Sequence, residues 1–390
     1  MPSHARAVNR VGILSTYPPT PCGLATFSSA LARGFEADGV QVRIVRVVDG
    51  PTTPTPQAAG GAVVGELQPG SASSAAEAAE ALNCCDVVVV QHEYGVYGGR
   101  DGDEVLAVLA DLRVPSIVVA HTVLQHPTTH QRDLLMRIAA AADRVVVMSQ
   151  AASDRLSAGF DVEPWQITVI PHGATPSASR ATVAVDLTMM LTWGLVGPGK
   201  GMERVIDVLP GLRRRSPGAR YMIAGRTHPK VLAAQGEAYR EARASQAVAR
   251  GVSDAVQFDP AYRDAASLEG LVRRCRVVVL PYDSTDQVTS GVLVEAVAAG
   301  RPVVATAFPH AVELLASGAG IVVAHDDPDA LELALARVLA RPQVHDRLAA
   351  EAARLAPTMG WPVVARAYVS LAAQLCAAKT PGLPTRPVLV

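Results

Sequence analysis

The chain lacks most features that would assign it to a class at a glance. Its five cysteines (Cys22, Cys84, Cys85, Cys275 and Cys376) are odd in number, scattered and never in CxxC spacing. That pattern argues against a disulfide framework and against a zinc site. No apolar run approaches the roughly 18 residues needed to span a bilayer. The first ten residues carry no apolar core like that of a signal peptide, so the expected compartment is the cytoplasm. Charge of neither sign dominates: the formal net charge is −1 over 390 residues, which gives no overall pull toward nucleic acid. The GxGxxG fingerprint of dinucleotide enzymes is missing, and no internal repeat of roughly 20–50 residues is visible.

What is present describes a well-cored globular chain, with 49% hydrophobic and 18% charged residues, long enough for two domains. Short apolar runs at 11–15, 42–45, 86–90, 116–120, 144–148 and 167–170 alternate with amphipathic helical stretches. The same alternation resumes at 187–193 and continues through 277–280 and 303–305. Such runs read as buried parallel strands. Residues 174–186, rich in Ala, Ser, Thr and Pro, read as a linker between a first domain (1–173) and a second (187–360).

The most informative stretch is 281–305. A polar loop leaves the strand at Pro281, and Ser290-Gly291 opens a helix carrying Val292 and Glu295, which Gly300-Arg301-Pro302 terminates. Free N–H groups and the helix dipole make that N-terminus an anion site, and a carboxylate one turn in can accept hydrogen bonds from a ribose. Gly194 to Lys200 fits GxxxxGK, but Gly201 stands where a P-loop needs Ser or Thr for Mg²⁺. Asp101-Gly102-Asp103 offers the look of a metal motif, yet Asp103 reads as the N-cap of a helix. The strand ends at His92, Glu93 and Tyr94 and at His121 fall where open α/β sheets bind ligands.

Taken in order, these residues resemble family 4 retaining glycosyltransferases of the GT-B fold, and the resemblance covers nearly the whole chain. It implies two Rossmann-like doubly wound α/β domains facing across a cleft, with the last helix (361–378) crossing back to the first domain. In that family two acidic residues separated by seven flank the donor loop. Here Glu295 fills the second place and Gln287 stands at the first, which removes the charge there. The resemblance further implies Lys200 and the N–H groups after Ser290 on the leaving diphosphate, with Ser290, Gly291 and Val292 as donor-binding residues, and Glu295 on the ribose. His121 and Gln287 fall on the sugar, Gly23 and Gly194 at the phosphates, and Tyr262 beside the base. An Arg usually follows the first glycine of the lysine loop; Leu195 stands there, with Arg226 as the candidate to compensate. His92, Glu93 and Tyr94 fall on the acceptor side. The expected activity is metal-independent transfer of a hexose, with no cofactor, from GDP-mannose first or a UDP-hexose second, to a glycan, glycolipid or small sugar. A sugar-nucleotide epimerase, a phosphorylase and a non-catalytic nucleotide-sugar-binding protein are the competing readings. Arg213-Arg214-Arg215 leaves membrane association open but unsupported.

Overall fold

The computed structural model describes residues 7–20, 22–48, 62–175, 184–261 and 263–378. The chain divides into two compact units, 1–173 with 361–390, and 174–360. The first contains β1 (Arg10–Ser15), α1 (Gly23–Ala37), β2 (Gln41–Val47), β3 (Ala62–Leu67), α2 (Ala72–Leu82), β4 (Val87–His92), α3 (Val105–Asp111), β5 (Ser116–Ala120), α4 (Thr129–Ala141), β6 (Arg144–Val147), α5 (Gln150–Gly159) and β7 (Ile167–Val169). The second contains β8 (Met189–Trp193), α6 (Met202–Arg215), β9 (Arg220–Ala224), α7 (Pro229–Gln235), α8 (Ala238–Ala249), β10 (Val256–Asp259), α9 (Ala265–Arg274), β11 (Val277–Leu280), α10 (Gly291–Ala298), β12 (Val303–Thr306), α11 (Pro309–Leu315), β13 (Gly320–Val323), α12 (Pro328–Ala340) and α13 (Pro342–Leu355). The terminal α14 (Trp361–Ala378) belongs to the first unit.

Both sheets are wholly parallel, ordered β3-β2-β1-β4-β5-β6-β7 and β10-β9-β8-β11-β12-β13. In each, the order reverses beside its first strand, so the carboxyl ends of β1 and β4, and of β8 and β11, diverge around a crevice. That is where doubly wound sheets hold ligands. The strands are Val-rich because helices cover both faces of each sheet: β4 and β11 are buried along their whole length.

Helix starts follow capping chemistry. Thr128 and Gln131 form a capping box at α4, and Ser149, Ser290 and Asp327 cap α5, α10 and α12 with their side chains. α1 begins at Gly23, where the Cys22 thiol accepts from the Ala25 N–H. One expectation needed correction here. Asp103 does not cap α3: the helix starts at Val105 with no side-chain cap, and Asp103 faces His130 at 3.6 Å instead. α14 lies on α1 at Gly34, where an added Cβ would fall 2.9 Å from both the Ala365 Cβ and the Trp361 carbonyl oxygen. Only glycine lets the two helices come that close. Among the described residues no helix is long and apolar enough to cross a membrane. Two arginines of the 213–215 cluster are engaged locally, Arg213 with Asp254 and Arg215 with Glu332.

Candidate functional site

In the second unit, adjacent strands bring together residues far apart in sequence. β8 ends at Trp193, and the loop 194–201 leads into α6. β11 ends at Leu280, and the loop 281–290 leads into α10. The two loops are locked together: the Asp283 N–H donates to the Gly199 carbonyl at 3.0 Å, and Arg204 of α6 donates through Nε to the Asp283 carboxylate at 2.8 Å and through a terminal nitrogen to the His325 carbonyl. Gly201 is the pivot. It has φ of 62°, and an added Cβ would lie 1.7 Å from the Pro281 carbonyl oxygen. The place a P-loop gives to a hydroxyl residue is therefore filled by another strand's backbone.

Lys200 sits over the ring of Tyr282, its Nζ 4.3 Å from the centroid. Burial pushes its pKa down. Asp283 is taken by Arg204, and among the described residues no carboxylate pairs with Lys200. Tyr282 is itself buried and stacked on Phe308 at 5.2 Å, and burial pushes its phenol pKa up, opposed by the neighbouring Ser290 side chain. Ser290 caps α10, its Oγ accepting from the Leu293 N–H at 3.3 Å. A half-buried cation and a capped helix N-terminus thus share one tyrosine as their common wall, an arrangement suited to a diphosphate.

Glu295 lies one turn into α10. Burial raises its carboxyl pKa, opposed by a hydrogen bond with Trp193. Gly194, with φ of 117°, lies against Val292. Gln287 turns inward: its Nε2 donates to the Thr289 carbonyl at 2.8 Å. Arg226 is exposed beyond β9. Tyr262 lies outside the described residues. Sequence reasoning missed Tyr282, Trp193 and His310, each placed directly at or after a strand end, which was the only signal available for them.

In the first unit, β4 and β5 end side by side. The His121 N–H donates to the His92 carbonyl at 3.0 Å, and the His121 Nε2 lies 2.7 Å from the Gln91 Oε1. The His121 ring meets Phe27 edge-on at 4.8 Å, and Phe27 contacts His172 and Trp361 in the same way at 5.0 Å. Burial pushes His121 down to about 3, with the neighbouring His172 and His92 adding to it, so the ring is neutral. His92 is buried, pushed down to about 4 by that burial, and neither ring nitrogen has a hydrogen-bond partner among the described residues. Glu93 accepts from the Thr122 hydroxyl at 2.7 Å, and the Tyr94 hydroxyl donates to the Gln131 carbonyl at 3.2 Å. Asp101 lies 2.9 Å from the His130 Nδ1. Among the described residues no group of three or more His, Cys, Asp or Glu is arranged to hold a metal ion. Gly23 is the first residue of α1, with open space where a side chain would project.

This architecture defines a protein class. The structure of Anabaena HepE in complex with UDP and glucose superposes with a TM-score of 0.71, at 16% identity, over 93% of this chain and 99% of that one. The sucrose-phosphate synthase of Thermosynechococcus elongatus superposes at 0.69, at 18% identity, over 95% and 100%. The fold is GT-B. Two family models match in tandem, Glycosyltransferase Family 4 over residues 21–177 and Glycosyl transferases group 1 over residues 189–341. The chain belongs to the family 4 glycosyltransferases. The D-inositol 3-phosphate glycosyltransferase of Saccharomonospora viridis is 30% identical over 243 residues, 58% of this chain and 54% of that protein. The chain spans about half the length of the curated relatives it matches.

Proposed function

We propose that this protein is a retaining, metal-independent glycosyltransferase that moves a hexose from a nucleotide sugar to a hydroxyl of a carbohydrate, glycolipid or cyclitol acceptor. The observation that carries the reading is the Lys200 ammonium, held over Tyr282 without a carboxylate partner among the described residues and next to the Ser290-capped start of α10. Cleavage of the donor puts negative charge on the departing diphosphate, and preorganised donors there stabilise the transition state more than the ground state. Lys200 and the N–H groups of Gly291 and Val292, which follow Ser290, fill that role, so the charge needs no metal. Glu295 takes the ribose, and Gln287 reaches the hexose after exchanging its loop hydrogen bond. Within the first unit, His121 is suited to sugar hydroxyls, and His92, Glu93 and Tyr94 to an acceptor. A neutral His121 can hydrogen-bond sugar hydroxyls without adding charge beside an oxocarbenium-like centre. None of the carboxylates named here is assigned as covalent nucleophile, which favours front-face attack assisted by the leaving phosphate.

The sequence resemblance ranks GDP-mannose first as donor. The solved neighbour named with UDP and glucose supports a UDP-hexose, and the relatives' name makes D-inositol 3-phosphate an acceptor to include among those assayed. The test is a melting-temperature panel with GDP, UDP, ADP, their hexose conjugates and ATP, with and without Mg²⁺, followed by turnover with the stabilising donor. Stabilisation of the wild type without Mg²⁺, lost in Glu295→Ala and followed by acceptor-dependent release of the nucleoside diphosphate, is the expected result. Conversion of the donor without acceptor would replace the reading with an epimerase, and binding without turnover with a non-catalytic binder. Stabilisation by ATP only with Mg²⁺ would overturn it in favour of a P-loop nucleotide enzyme.

A further inference from the structure

The run Phe308, Pro309, His310 follows β12 and has no part in the motifs above. Phe308 stacks on Tyr282, the residue beneath Lys200. His310 holds the other side of the same site. It is 4% exposed, its backbone N–H donates to the Gln287 carbonyl at 3.3 Å, and its Nδ1 accepts from the Ser290 N–H at 2.8 Å. One residue therefore ties down both ends of the segment 287–290, which delivers the chain into α10. Accepting at Nδ1 requires an unprotonated nitrogen there and places the ring proton on Nε2. Burial pushes the ring down to about 4, so the accepting form is the one present at neutral pH.

We infer that His310 is a positioning residue of the donor site: by accepting the Ser290 N–H and donating to Gln287, it presets the loop and the first N–H groups of α10 for the diphosphate. The inference rests on the nucleotide-sugar reading of the second unit. Without the side-chain bond, the Ser290 N–H loses its acceptor and the loop is free to rearrange, so the ordering cost shifts to the moment of binding. The loss is one neutral hydrogen bond and its preorganisation, about five- to tenfold in affinity.

The experiment compares wild type, His310→Ala and His310→Asn, whose amide oxygen can accept the same N–H. Calorimetric titration with GDP and with UDP gives the Kd, and hydrogen exchange is followed at peptides covering 287–293. The expected result is a Kd for the bound nucleotide raised about five- to tenfold in His310→Ala, recovered to within about threefold in His310→Asn, with local exchange accelerated in the first and restored in the second. A role confined to packing gives a different result: both variants lower the melting temperature, exchange rises across the whole second unit, and the folded protein keeps its wild-type Kd. That result overturns the inference. If the wild type binds neither nucleotide, the nucleotide-sugar reading fails on its own, and with it the donor-site role of His310. The exchange measurement then decides only whether His310 anchors the loop.

Discussion

Gly201→Ser tests the site's construction more sharply than removal of any charged group, because it completes the P-loop pattern of the sequence. In the structure Gly201 has φ of 62°, and an ideal Cβ would lie 1.7 Å from the carbonyl oxygen of Pro281. A left-handed backbone with a side chain costs about 1–2 kcal/mol. Relieving the contact means moving Pro281, which is backbone, and with it the Asp283–Gly199 hydrogen bond that joins the two loops. Overpacking of this kind costs about 1–3 kcal/mol more. The total, about 2–5 kcal/mol, is a large share of the roughly 5–15 kcal/mol that stabilises an ordinary domain. Urea unfolding followed by far-UV circular dichroism should therefore show the second unit melting at clearly lower urea than wild type. Nucleotide affinity should fall with it, since Lys200 precedes the displaced residue. A Gly201→Ser protein with wild-type stability and newly acquired Mg²⁺-dependent ATP binding would refute both the packing argument and the exclusion of a P-loop.

The elements were largely legible in the sequence and the relations between them were not. Runs such as Val277–Leu280 declare themselves as buried parallel strands because both faces are covered and nothing polar interrupts them. Ser149 and Ser290 declare their helices through side-chain capping. Where the physical signal is weak the reading fell short. α7 buries no residue and α8 buries only Ala247, so neither has the apolar stripe that marks a helix in sequence, and both went unanticipated. Cys22 caps α1 with a thiol, a side chain outside the usual capping set. Asp103, a normal capping residue, is turned away by His130, 27 positions later in the chain. At the site, Lys200, Ser290 and Glu295 stood out because each lies in a local pattern. What surrounds them did not: Tyr282 under Lys200, Trp193 on Glu295, His310 on Ser290 and Pro281 against Gly201 are all pairings across sheet neighbours or between successive strand-end loops. They follow from the strand order, in which β8 lies beside β11 and β11 beside β12, and no spacing rule encodes that order.

Further outcomes follow from the same geometry. Lys200→Met should lower kcat about 10²- to 10³-fold with little change in donor KM, and should leave the melting temperature unchanged or higher, because no paired carboxylate is stranded; steady-state kinetics within threefold of wild type would refute its role. Gly34→Leu should lose about 1–3 kcal/mol by forcing α1 away from α14, read as a lower urea midpoint of the first unit with nucleotide binding by the second unit intact. Glu295 gives a pH prediction with two opposite signs. Its folded-state pKa is raised by burial, so below the ordinary carboxylate pKa both folded and unfolded chains hold the proton and its contribution to stability is fully present. As pH rises toward the raised value, the unfolded chain ionises first, and stability declines until the folded carboxyl ionises too. Ribose hydroxyls, in contrast, donate best to the ionised group, so nucleotide affinity climbs through the same window. Wild type minus Glu295→Gln, measured by melting and by titration across pH 4–7, should show the two quantities moving in opposite directions. Parallel movement would mean that Glu295 binds the ribose as an acid or does not bind it at all.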